Sequence, residues 1–596
     1  MRNYKKQYAI LFTIFLSISA ISIGFVLSNL NSITPMGQTD FFNDLKTSAL
    51  FNITITIDDS NPAQDWETRK GEGVCTGLGT SANPYIISNH LFNITAGGDC
   101  LEIINSRKHF RVLDCDFITT GLAAAIYLQN TTNGVVEGNH ITNIFGGIVI
   151  DNCSQIRFTD NNITLCGYSL IVGDSDNLEF NLNLIDQTVI NYGINIDNCV
   201  DLTFTQNTVS LSVAAGIFLD GSNDITFIDN SIFNNTYGIY NQRSNGTVIQ
   251  GNTIGPHVED GIYVYQSYRG IFSSNDITDC GDNGIELEES EIFTLSSNNA
   301  NNNYRGIYIF SSSLYNTLSE NTAIDNTLSG IELRGGSDNN TIRGNIAHHN
   351  GEEGIWLFDC DNSIILDNIA FNNTRNGLRM NEGANLTCNN NEAYNNYQNG
   401  IRLLNIDDSI VEGNEIHNNG EFGIYLLSSS ERNIINGNLA SMNTMSGVYL
   451  SSGCNENIIT DNTASNNEEH GIFIVGTTNN LIIGNTANNN LMNGIYLRLS
   501  DGNSIISNTA TGNVNGTNLI SSDNNIIFGN LLYGNDYCMN ETNSNNNVYS
   551  DNLCTAPSTP ILPLDPFILG IIIGLVIGFG ALAAVLLIFL LRGRKK

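Results

Sequence analysis

Positive charge is what this chain lacks. Its 596 residues hold 24 Lys and Arg against 59 Asp and Glu, a formal charge of −35, and no lysine occurs between Lys108 and Lys595. Such a surface cannot neutralise a phosphate backbone, which excludes nucleic acid as a partner. Solubility and cation condensation are its plain consequences. Proline is scarce too: of eight, four lie between Ala556 and Pro566, and Pro256 stands alone inside the repetitive region. Seven methionines argue against a thioether copper site. A dense leucine consensus and a helical half-repeat are absent, and with them a leucine-rich horseshoe.

Asparagine is what the chain has, and it is in register. From Asn139 to Asn552 it recurs nineteen times at steps of 22 to 24 residues. A second series, five residues later, runs from Asn303 to Asn535. Between them lie short apolar alternations bounded by Asn, Gly and Ser, such as Ile424-x-Leu426, which read as strands. Three short strands per repeat, stacked on their counterparts, make an all-β parallel β-helix of about 19–20 coils spaced ~4.8 Å apart. Asn tolerates left-handed backbone angles and so should turn the corners. Its amide should bond the amide of the next coil. Phe158, Phe180, Phe204 and Phe227, each three residues before a ladder Asn, should stack inside.

The repeat resembles the right-handed parallel β-helix proteins of the pectate-lyase-like superfold, and within them the NosD-like, carbohydrate-binding and sugar-hydrolase group. The resemblance covers about residues 76 to 555, with Gly79-Thr80-Ser81-Ala82-Asn83-Pro84-Tyr85-Ile86-Ile87 resembling the start of the first coil. It implies a right-handed coil. It does not imply one activity, because that superfold hosts lyases, hydrolases, epimerases and copper-site accessory proteins.

Residues 1–30 read as a signal peptide or signal anchor, with Arg2, Lys5 and Lys6 before the apolar run Tyr8 to Leu27. Residues 31–75 read as a lead-in and cap, and 76–555 as the β-helix. A Pro-rich stalk occupies 556–566. The uncharged run 567–591 is long enough to span a bilayer, and the basic tail 592–596 should stay inside. The expected placement is a single-pass cell-membrane protein with its β-helix outside. Twelve Asn-x-Ser/Thr sequons, among them Asn52, Asn130 and Asn540, permit glycosylation. Of twelve cysteines, Cys75, Cys100 and Cys115 near the start, and Cys538 with Cys554 near the end, are the disulfide candidates.

Alternation along each Gly-Ile-x-Leu-x strand turns the x residues outward. Stacked, they should present Tyr263, Tyr265, Tyr308, Phe310, Trp356, Arg379 and Arg402 as a surface for glycan or another polymer. Aromatic faces would meet sugar rings and guanidiniums would meet hydroxyls or carboxylates. That non-catalytic binder is the preferred reading. The rival is a polysaccharide lyase or glycosidase using Glu286, Glu288, Glu332 and Arg334, since carboxyls ~6.5 to 9.5 Å apart suit an inverting glycosidase. A third, implied by the NosD-like resemblance, is an accessory protein for an extracytoplasmic copper enzyme. No cofactor is required by these readings. Calcium or copper would be optional, with His348 and His349 the metal candidates. One place breaks the repeat: His257 and Cys280 stand in the second Asn column beside Pro256, where rule-breaking marks function or strain.

Overall fold

The computed structural model describes residues 49–94, 97–118 and 123–554. The signal or anchor, the stalk, the 567–591 run and the basic tail lie outside them. Among the described residues no helix is long and apolar enough to cross a membrane. The chain divides at Asn299 into two compact units, each built as a right-handed parallel β-solenoid.

One coil of the second unit shows the construction. Strands Ile401–Asp407, Ile410–Glu412 and Glu415–His417 are separated by two-residue corners, Asp408-Ser409 and Gly413-Asn414. We number the three sheets they enter first, second and third. Asp408, Gly413 and Asn418 occupy those corners with φ of 52°, 64° and 56°. Gly, Asn and Asp enter this left-handed region most readily. The left-handed residue is therefore the one before each ladder Asn, which corrects the expectation that the ladder Asn itself makes the turn. Ile401 and Leu403 pair in register with Ile424 and Leu426 of the next coil, and all four are buried. In the first unit Phe158, Phe180 and Phe204 stack inside with ring centroids 4.7 and 4.4 Å apart.

The ladder asparagines satisfy the backbone at each corner. Asn414 Nδ2 donates to Asn438 Oδ1 at 2.8 Å and to the Cys388 carbonyl at 2.9 Å. Its Oδ1 accepts from the Asn391 backbone N–H at 2.8 Å. The same bonds link Asn139 to Asn183 in the first unit and the second series in the second unit. A third ladder, missed in the sequence, fills the remaining corner with Asn433, Asn457, Asn480, Asn503, Asn525 and Asn547. It keeps the same period, two residues before the inward Ile435, Ile459, Ile482, Ile505 and Ile527.

The stack begins earlier than residue 76. Ala49–Phe51 pairs with His90–Phe92, and Ile55–Asp58 with Leu101–Ile104. The short helix Trp66–Gly71 covers this end: Asp65 caps it through Thr68 N at 2.8 Å, and the Trp66 ring stacks on Tyr85 at 4.7 Å.

Cysteine use departs from the expectation at one end. Cys538 and Cys554 form a disulfide, but Cys75, Cys100 and Cys115 are free and buried. Burial pushes each of these thiols up to about 12. Cys115 shows why it is not bridged: it holds the first ladder position, one coil before Asn139, whose Oδ1 accepts from the Cys115 N–H at 3.1 Å. Cys153 and Cys199 stand likewise in a serine column, their N–H groups donating to Ser175 and Ser222. These cysteines replace corner residues instead of pairing.

The irregular corner at Pro256 has the same explanation. His257 Nδ1 accepts from the Asn235 N–H at 3.3 Å, and Nε2 faces the Ile232 carbonyl at 3.1 Å. Those are the two bonds a ladder Asn makes to the backbone of the preceding coil. The ring is neutral with its proton on Nε2, and burial lowers its pKa to about 4.

Asn414→Ala leaves the Cys388 carbonyl and Asn391 N–H buried without partners, at about 1–3 kcal/mol each. Its urea midpoint should fall well below that of Asn418→Ala, an exposed neighbour. For His257 the folded pKa is depressed, so its contribution is complete above the ordinary value near 6.5 and is lost as pH falls toward about 4. His257→Asn should keep the corner bonds and flatten the fall in urea midpoint between pH 7 and pH 4.5.

Candidate functional site

In the first unit the strand Ile285–Glu288 turns Glu286 and Glu288 outward, in register with Tyr263 and Tyr265. Glu288 is engaged, because its Oε2 accepts the Tyr263 hydroxyl. Burial, and then this bond, hold the Tyr263 phenol far above its ordinary range. Glu286 meets two further carboxylates, from the corners beside His257 and Cys280. Oxygens of Asp260, Asp282 and Glu286 all lie within 4.8 Å of one another. Asp260 is buried, and its Oδ1 accepts from the Asn283 N–H at 2.8 Å. Burial, then Glu286, then Asp282 push its carboxyl well above the usual range. The signal was present in the register: Asp260 precedes Gly261 in one coil and Glu286 follows Gly284 in the next. Chemically the trio offers oxygen donors of the kind hard cations take.

Glu332 and Arg334 belong to the second unit, and Glu332 is not at the surface. It is fully buried, with Arg305 Nε at 2.9 Å from Oε2 and Arg334 ion-paired with Oε1. Alternation points it outward, but two long side chains close over it. A general acid or base must reach its substrate, and this carboxylate cannot. Trp356 needs the same correction. It is 8% exposed, with the Arg334 and Arg379 guanidiniums 4.1 and 4.5 Å from its ring centre, so its face is taken by cations. Arg379 also bonds the buried Glu353 at 2.8 Å, and Arg375 bonds Glu352 at 2.8 Å.

Other members of the stripe remain outward. Tyr308 and Phe310 lie parallel at 4.8 Å on one strand, with Arg305 4.6 Å from the Tyr308 ring centre. Arg402 is half-buried, in register between Arg379 and Tyr425. Beyond it Tyr425, Tyr449, Phe473 and Tyr496 stack at 4.9, 5.0 and 4.7 Å. Their faces are turned to one another, so they offer mainly ring edges to solvent.

His348 and His349 face each other with 2.6 Å between their Nδ1 atoms. His348 also heads a stacked outer column of Phe371, Tyr394 and His417 at 4.4, 4.9 and 5.1 Å. Burial, and then His349, lower the His348 pKa. Two nitrogens are all this corner supplies in the structure; the converging group of three donors among the described residues is the acidic trio of the first unit.

Comparison with known proteins agrees with this architecture. The family described as "Right handed beta helix region" matches over residues 65–191, 187–323, 306–406 and 329–487. The family "Periplasmic copper-binding protein (NosD)" matches over 426–559. No curated protein matches the sequence. Among solved structures, the A-module of the Azotobacter vinelandii mannuronan C-5 epimerase AlgE6 is 16% identical, covering 54% of this chain and 91% of that one, with a TM-score of 0.34. The periplasmic alginate epimerase AlgG is 14% identical over 67% and 85%, TM-score 0.27. An alginate lyase from Paenibacillus sp. is 10% identical over 46% and 90%, TM-score 0.27. Likenesses this distant carry no argument about what this chain binds.

Among the described residues of the stretch 426–559, no group of donors suited to copper converges. Within 426–559 the one histidine, His470, is buried with Nδ1 taken by the Asn493 N–H at 3.2 Å. Cys454 is buried, and Cys538 is bonded to Cys554. The converging donors are oxygens, lie outside that stretch, and do not suit copper.

Removing one partner of a buried ion pair costs about 3–5 kcal/mol. Glu332→Ala should therefore lower the unfolding free energy measured by urea denaturation by that order, through Arg305 and Arg334 left unanswered. Glu288→Ala, at a half-exposed carboxylate, should cost far less in the same measurement.

Proposed function

The chain belongs to the right handed beta helix family, and from that premise we propose that it is an extracytoplasmic surface protein that binds a polysaccharide or similar polymer without cutting it. One observation carries the reading: Glu332, the nominated carboxylate of the second unit, is buried and neutralised by Arg305 and Arg334. Around it, side chains suited to contact stay outward: Tyr308, Phe310 and Arg402. A site that spends its carboxylate on internal pairing is built for shape and contact, not proton transfer. Placement outside the cytoplasm is supported by the Cys538–Cys554 disulfide, since such bonds persist in oxidising compartments. The uncharged 25-residue run Phe567 to Leu591 supports a single membrane tether.

Catalysis is the second reading, favoured by one feature of the first unit. There the raised Asp260 carboxyl sits beside Glu286 and Asp282, an acid next to potential bases.

The test uses the full-length protein with neutral and uronate polysaccharides plus calcium, followed by gel filtration of the polymer. Co-migration at unchanged polymer length is the expected result. Shortening of the polymer, abolished by Asp260→Asn or Glu286→Gln, would replace the binder with an enzyme.

A further inference from the structure

We propose that Arg402, with Arg379 beside it, forms a subsite for an oxyanion carried on the bound polymer, a carboxylate or a sulfate ester. The inference rests on the polymer-binding reading and names the chemistry of one part of that face.

Five arginines line this stripe of the second unit, in a protein with 24 basic residues and a charge of −35. Four are answered. Arg305 and Arg334 pair with Glu332, Arg375 bonds Glu352, and Arg379 bonds Glu353. Arg402 is not: among the described residues it has no ion-pair or hydrogen-bond partner. It is also not out in bulk water, being half-buried between its neighbours.

The neighbours make that charge costly. Arg379 and Arg402 are register partners on strands Leu378–Ala384 and Ile401–Asp407. Their stems leave the sheet one strand spacing apart, about 4.8 Å. Like charges set directly opposite destabilise a sheet. Burial, and then Arg379, lower the Arg402 pKa, and the weaker fields of Tyr425, Glu353 and Glu421 offset this only in part, as expected of a cation without a bonded partner. Nearby polar groups are already committed: Asn399 Nδ2 donates to Asn376 Oδ1 at 2.9 Å and to Glu421 Oε2 at 3.0 Å. Arg379 Nε donates to Asn381 Oδ1 at 3.0 Å. The group lacking a partner is therefore the Arg402 fork, with the Tyr425 ring in register on its far side.

A guanidinium fork takes a carboxylate or sulfate through two parallel N–H···O bonds. An oxyanion placed there would answer Arg402 and relieve its repulsion with Arg379. The acidic remainder of the chain does not forbid this. At 0.1 M salt, exposed charges more than about 10 Å away are largely screened, so the local arginines decide.

The test measures binding of labelled polygalacturonate, dextran sulfate and neutral dextran to the full-length protein at 0.1 M salt, with wild type, Arg402→Ala and Arg402→Lys. Thermal melting of each variant without polymer accompanies it. At least one charged polymer should bind about tenfold or more tighter than neutral dextran, and which one identifies the oxyanion. Arg402→Ala should lose that advantage, and Arg402→Lys should keep part of it. Without polymer, Arg402→Ala should melt at or above wild type, because an unanswered charge has been removed. Equal binding of neutral and charged polymers, unchanged by Arg402→Ala, would leave the polymer-binding face standing and overturn the oxyanion subsite. Binding of no polymer would overturn both. A lower melting temperature for Arg402→Ala would show that the side chain serves packing, and would also overturn the subsite.

Discussion

Every coil of this protein turns sharply three times, and each turn buries backbone groups that cannot reach water. The stacked corner amides answer them. An asparagine at a corner accepts from the coil on one side, donates to it as well, and donates to its neighbour on the other side. The rest of the structure depends on that exchange, because a buried N–H or carbonyl without a partner costs more than most single contacts return. The substitutes show what the position requires. His257 supplies one ring nitrogen that accepts and one that donates. Cys115 supplies bulk and a weak donor where the adjacent coil's Asn139 carries the acceptor. The requirement is for a compact side chain with the right bonding groups, and Asn meets it best.

Once the corners are satisfied and the strand interiors packed, the outward positions are free of the fold's demands, and function can be written there. The second unit uses that freedom unusually. It gathers arginines on a protein otherwise poor in positive charge and answers most of them with carboxylates buried beneath. Glu332 and Glu353 are interior groups on exterior positions, covered by the long side chains they pair with. The face is thus a rigid lattice of ion pairs around Trp356, with Arg402 left over. In the first unit the corresponding column is aromatic through Phe218, Tyr240 and Tyr263 until Glu286, which with Asp282 raises the Asp260 carboxyl instead of neutralising it.

Much of this was legible in advance, and the limits had physical causes. The ladder series, the inward phenylalanines and the outward columns follow from a period near 23 combined with alternation by two, which need no coordinates. The third ladder was hidden because its column is interrupted by Ser363, Leu386 and Ser409 before the unbroken run that starts at Asn433. The acidic trio was hidden because its members sit on both sides of a corner, where alternation no longer says which way a side chain points. Trp356 and Glu332 were misjudged for a different reason. Alternation gives direction, whereas exposure depends on the reach of neighbouring side chains, and Arg305, Arg334 and Arg379 are long.

The sequence by itself determined the coil length, the three-sided parallel stack, the positions of the corners and the side of the sheet each residue faces, because each of these follows from local periodicity and backbone preference. Only the tertiary structure decided which outward charges were paired, which cysteines were bonded, and which groups of three met. Those outcomes depend on distances across coils and around corners that residues far apart in the chain create together.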